Sequence, residues 1–260
     1  MQNIIRADLY RIFKSKGVYI TSAVFLGLLF LTLFTNGTIG VGTGIMPESL
    51  GDLSVTGANA PFIAMEEADL LLYFMLPLVI FIACADFSSG TVKNVLSSGV
   101  SRSKYYASKL LLSCVFCVVL ITAKVVIATA SATLIHGFGG VFGIDYAVSV
   151  LKPFLMQLFL LISATCVCVF LVFTTKKTAA VNGIYIAWAF VPILILSMLM
   201  DVSENAVELM HYDLTLNIKA FANFTARTSE DISRALIICG FYILASTVMG
   251  IVLFNRSEIK

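Results

Sequence analysis

Residues 110–135 read LLLSCVFCVVLITAKVVIATASATLI, a run of 26 residues whose only formal charge is Lys124. A bilayer hydrocarbon core about 30 Å thick is crossed by about 20 apolar helical residues. The run is long enough to cross at a tilt. It lacks the charged face that a helix lying on a soluble core would show. Working outward, five more apolar runs lie at 17–35, 68–87, 154–173, 179–200 and 235–254. Pro77 and Pro192 fall within two of them and mark expected kinks, tolerated where neighbouring helices satisfy the freed carbonyls.

Composition agrees with this pattern. Of the 260 residues, 59% are hydrophobic and only 12% charged, against about 25% charged in a typical soluble domain. Mean hydropathy is +0.98. The expectation is an all-α integral membrane protein of six transmembrane helices, forming a single domain over residues 1–260. The first run is too long for the apolar part of a cleaved signal peptide, and no small-x-small site precedes residues 35–37. It is expected to remain as an anchor.

Orientation is read from lysine and arginine. Taken alternately, the segments between runs carry twelve such residues on one side and four on the other. Both termini are therefore expected in the cytoplasm of a multi-pass cell-membrane protein, with 36–67, 136–153 and 201–234 outside. Residues 1–16 place Met1, Ile4, Ile5, Leu9, Ile12 and Phe13 toward one face, with Asn3, Arg6 and Lys14 elsewhere. That pattern suits an interfacial amphipathic helix on anionic lipid; the alternative is a plain extension of the first span. Residues 214–224, LTLNIKAFANF, mix apolar and polar side chains and are expected to dip back toward the membrane as a short helix. Asn36-Gly-Thr and Asn223-Phe-Thr match glycosylation acceptors, a tripeptide common by chance.

Several function classes fall away. The net charge of +2 includes no basic domain suited to nucleic acid. Cys84, Cys114, Cys117, Cys166, Cys168 and Cys239 all lie in apolar runs, which argues against a disulfide framework. Cys114 and Cys117 have no second pair or histidine beside them to complete a metal site. His136 and His211 lie in expected outer loops. No HExxH, GxSxG or phosphate-cradling GxxxxGK[ST] occurs, so neither catalysis nor nucleotide binding is expected of this chain, and no cofactor. Lys124 is a costly charge at membrane depth. It either snorkels to the outer headgroups, paired with an acid such as Asp69, or faces a translocation path or a subunit interface.

The polar stretch between the second and third runs is the most informative. Residues 86–109 read DFSSGTVKNVLSSGVSRSKYYASK. Val92, Val95, Leu96 and Val100 recur at helical spacing, serine or threonine stands at the start, and Gly99 stops the pattern. This predicts a short helix outside the bilayer, whose apolar stripe needs either the lipid surface or a protein to pack on. Asp86, Lys93, Arg102 and Lys104 are read as its polar rim.

The same stretch resembles the permeases of type-2 ATP-binding-cassette (ABC) exporters. There a second span runs into an acidic residue, a G-T-x-K/R-x-L-L helix, a serine/arginine turn and the third span. The corresponding residues here are Asp86, Gly90-Thr91-Val92-Lys93-Asn94-Val95-Leu96, Ser101-Arg102 and Lys109-Leu110-Leu111. Asp86 stands where the family usually has glutamate, and Gly99 near where it often has proline. The resemblance implies a permease subunit without an ATPase site of its own. ATP would be bound by a separate cytoplasmic ATPase, contacted through a coupling helix comprising Gly90, Thr91, Val92, Lys93, Val95 and Leu96 with Asp86 and Arg102 beside it. It further implies pairing with a second permease chain, identical or related, in export of a substrate such as a peptide or antibiotic. Two rival classes are a non-transporting immunity or assembly protein, and a self-sufficient secondary transporter.

Overall fold

A computed structural model describes residues 2–35, 56–200, 211–221, 224 and 227–257. Both glycosylation tripeptides fall on or beside residues outside this set. Among the described residues the chain is helical throughout, with no strand. In chain order the helices are α1 (Gln2–Lys14), α2 (Lys16–Thr35), α3 (Ala60–Glu66), α4 (Asp69–Ser88), α5 (Thr91–Ser97) and α6 (Arg102–His136). They continue with α7 (Ile144–Thr175), α8 (Thr178–Met200), α9 (Leu214–Ala220) and α10 (Ser229–Arg256).

Four of these, α4, α6, α7 and α10, are long and apolar enough to cross a membrane. The apolar helices α2 and α8 accompany them. At 1.5 Å per residue, α6 and α7 are about 52 and 48 Å long, well beyond the bilayer core. The extra length comes from ends that hydropathy alone misses. Helix α6 begins at Arg102, eight residues before its apolar run. Helix α7 begins at Ile144 and carries Lys152 and Pro153 within it. The expected outer loop 136–153 therefore shrinks to residues 137–143. Lys152 and Pro153 are the ninth and tenth residues of α7, past its first turn; the proline there removes one internal hydrogen bond without ending the helix, as membrane helices tolerate.

Helix α7 is the axis of the bundle. Met156, Leu160, Leu161, Ala164, Cys168, Val169, Val172 and Phe173 are buried, and α4, α6, α8, α9 and α10 all pack against it. Ala235, Cys239, Ser246 and Gly250 give α10 a buried stripe of small residues, which lets two backbones approach closely. The other side of α10 presents Ile237, Phe241, Leu244 and Val248 outward.

The end that carries α1 is here called proximal. There Phe87, Tyr105, Tyr106, Phe173 and Phe254 close the ends of α4, α6, α7 and α10 into one aromatic cluster, with centroids of Tyr106–Phe173 and Phe173–Phe254 4.7 and 4.8 Å apart. At the distal end, α3 fills part of what reads in the sequence as loop, burying Ala60, Pro61, Ala64 and Met65. The Tyr146 hydroxyl donates to the Ala58 carbonyl at 3.1 Å. Helix α9 buries Leu214, Thr215, Asn217 and Ile218 against the bundle, and Gln157 Nε2 donates to the Ile218 carbonyl at 2.9 Å. Within the expected stretch 214–224 a short helix is thus present and packed over Leu214–Ala220.

Candidate coupling site

Helix α5 stands between two glycines with left-handed backbones, Gly90 at φ 69° and Gly99 at φ 89°. Only glycine adopts such angles freely, so both turns are written in the sequence. Val92 is buried, and Val95, Leu96 and Val100 pack, partly covered, against the main core. The apolar stripe does find a seat on the chain itself, contrary to the expectation that it needs an external surface. Lys93, Asn94, Ser97 and Ser98 form the exposed face.

Asp86 does not lie on a solvent rim. It is buried, and it gathers three donors. Its Oδ2 accepts from the Tyr105 hydroxyl at 2.6 Å and pairs with Lys109 Nζ at 2.5 Å. Its Oδ1 pairs with the Arg11 guanidinium of α1. Lys109, fully buried, also bonds both carboxylate oxygens of Asp8 at 2.7 Å. Arg11 bridges back to Asp8 at 3.2 Å. Two acids and two bases from three separate segments thus balance one another. Burial pushes the Asp8 carboxyl above its usual range, against the opposing pull of Lys109 and Arg11.

The same cations reach the backbone of α4. Residues Ile80–Cys84 form a π turn, in which the Ala85 N–H bonds the Ile80 carbonyl five residues back. A π turn spreads the ladder and leaves carbonyls for other donors. Arg11 donates to the carbonyls of Phe81 and Ile82 at 3.2 and 3.0 Å, and Lys109 to that of Ile82 at 3.0 Å. Asp8, Arg11, Tyr105 and Lys109 are absent from the set of site residues that the sequence suggests. The available signal was Asp8, the one acid in an otherwise basic α1.

Arg102 is turned away from α5. Its guanidinium donates to the carbonyls of Phe254, Asn255 and Ser257 at 3.1, 2.8 and 2.7 Å. It thereby caps the C-terminal end of α10, where unpaired carbonyls gather. At the neighbouring α7–α8 turn, burial, with the Arg102 charge adding to it, lowers the pKa of the Lys176 ammonium.

Lys124 lies at the other end of α6. It is wholly buried, with Nζ 2.7 Å from the Glu67 carbonyl oxygen and 3.5 Å from Glu67 Oε2. Asp69, the acid singled out in the sequence, stands close by and pairs with Lys219 of α9 at 3.9 Å. Lys124 thus joins α6 to the α3–α4 junction from within the bundle instead of reaching the headgroups. Among the described residues no group of histidine, cysteine or acidic side chains is placed to hold a metal, and all six cysteines are free thiols.

The comparison with curated proteins returns no match. A family profile described as ABC-2 family transporter protein matches residues 4–192. That span runs from α1 through α8 as far as Pro192, and includes α5 and the ion cluster beneath it. The chain therefore belongs to the ABC-2 family of transporter proteins, as a membrane-spanning permease subunit.

Proposed function

We propose that this permease subunit is half of the membrane part of an exporter, crossing the bilayer six times through α2, α4, α6, α7, α8 and α10 with both termini cytoplasmic. A separate ATPase supplies the energy, a second permease chain completes the path, and the cargo is of the peptide or antibiotic class. The proximal end is then cytoplasmic, in keeping with its share of the twelve lysines and arginines. Alternating access follows, driven by the partner's nucleotide cycle.

The observation that carries this reading is the seating of α5. Val92 fastens it to the bundle while Lys93, Asn94, Ser97 and Ser98 face outward. A short helix held from behind, with a polar front, suits a modest contact that forms and releases. The test belongs on that front face, because a charged substitution such as Val95→Asp or Leu96→Asp would also disturb the chain's own packing. Lys93→Glu combined with Asn94→Trp should leave insertion and monodispersity intact and abolish co-purification of the ATPase. A double variant that inserts, retains the ATPase and still couples ATP hydrolysis to transport would sink α5 as the contact.

A further inference from the structure

The ion cluster at the proximal end is an expensive way to fasten a helix. Buried ion pairs repay their desolvation poorly, and apolar side chains of similar volume often hold as well or better. What charged groups add is a defined arrangement, since each donor has few acceptors it can reach. Here Arg11 of α1 and Lys109 of α6 each hold the two acids Asp8 and Asp86 together with a carbonyl of the π turn. The start of α2 touches the same turn, for a Cβ added to Gly17 would sit 2.3 Å from the Phe81 ring. Asp86 lies two residues beyond that turn, and Gly90 and α5 follow Asp86. A π turn is also a place where a helix changes register at low cost.

We propose that Asp8, Arg11 and Lys109 are positioning residues that lock the π turn of α4 and thereby make α1 and α5 move as one piece. The N-terminal helix then serves as a second arm of the coupling element. Displacement of α5 reaches α1 through Asp86 and Lys109, and travels into α4 through the carbonyls of Phe81 and Ile82. This rests on α5 being the ATPase contact.

Hydrogen–deuterium exchange on the full permease–ATPase complex in nanodiscs, nucleotide-free and vanadate-trapped, tests the joint. In the unmodified protein, trapping should alter exchange in both α5 and α1. In Lys109→Met, α1 and residues 80–88 should exchange faster without nucleotide, by about a hundredfold. Trapping should still alter α5 but no longer α1. Lys109→Arg, which keeps the charge, should restore the α1 response. Asp8→Asn leaves an acceptor for Lys109 while removing the charge, and it should loosen α1 even where Lys109→Met fails to fold. An α1 response to nucleotide that survives in Lys109→Met or in Asp8→Asn, or that is absent from the unmodified complex, overturns the proposal. If no ATPase is retained at all, the α5 reading has failed separately. The joint is then judged on the permease alone: faster exchange confined to α1, with residues 80–88 unchanged, refutes it.

Discussion

Replacing Lys124 by methionine should destabilise the bundle without changing its shape. The lysine stem is already wholly buried, and methionine fills an irregular apolar site of similar length. The loss is therefore electrostatic. Nζ lies 3.5 Å from Glu67 Oε2, where two unit charges attract by about 5 kcal/mol at an effective permittivity of about 20. The same amine donates to the Glu67 carbonyl at 2.7 Å, a charge-assisted bond with a net contribution of about 1.5–3 kcal/mol. Desolvating the ammonium offsets much of this, and removing one partner of such a pair typically costs about 3–5 kcal/mol. Taking the lower figure, and a shift of about 2–4 °C per kcal/mol for a chain near this size, the midpoint should fall by about 6–12 °C. A thiol-reactive dye can follow unfolding in detergent, because five of the six free cysteines are buried and the sixth partly so. Glu67→Gln alone should also destabilise, and the double variant should lose at least about 1 kcal/mol less than the sum of the singles. A Lys124→Met midpoint within about 1 °C of the unmodified protein, or strict additivity in the double variant, would refute an energetic link between α6 and the α3–α4 junction.

Two further outcomes follow from the proximal and distal ends. Arg102→Ala removes a guanidinium from three carbonyls at the end of α10, so exchange should quicken at residues 250–257, by about tenfold for a loss near 1.4 kcal/mol, while α7 is unaffected; unchanged exchange there would remove Arg102 as the cap. Ser98→Cys on α5 and Phe142→Cys in the α6–α7 loop sit at opposite ends and both are exposed. An impermeant thiol reagent added to intact cells should label position 142 and spare position 98, and the reverse pattern would invert the proposed topology.

Hydropathy made the long helices legible because twenty apolar residues have few other uses. The turns around α5 were legible for a similar reason, since Gly90 and Gly99 mark backbone angles that other residues avoid. Helix ends were less so. Arg102 and Ile144 start helices inside polar or mixed sequence, where nothing in the composition distinguishes a projecting helix from a loop. In α1 the sequence pattern placed Ile12 and Phe13 on one broad apolar face; the structure buries Ile12 against α4 and α6 and leaves Phe13 exposed. A broad helical face tolerates one position of rotation, and Asp8 settled it by turning inward to Lys109. Asp8 stood out as the one acid of α1, but the pairing within the ion cluster could not be read. Asp8 and Lys109 are 101 positions apart, and charge type alone does not say which acid meets which base. The π turn is equally silent, because it consists of ordinary apolar residues that an α-helix would accept.

The charge balance at α1, α4 and α6 also constrains how the chain is made. Asp8 and Arg11 leave the ribosome first, and Asp86 follows 75 residues after Arg11. Until Lys109 emerges, two carboxylates share a single cation. The first helices should therefore wait in the translocon or at the lipid boundary, unable to settle, and close up only when the start of α6 arrives. A nascent chain arrested before residue 109 is expected to leave α1 open to protease, and one arrested after α6 to protect it. Assembly of the N-terminal half is in this sense a single late event set by one lysine.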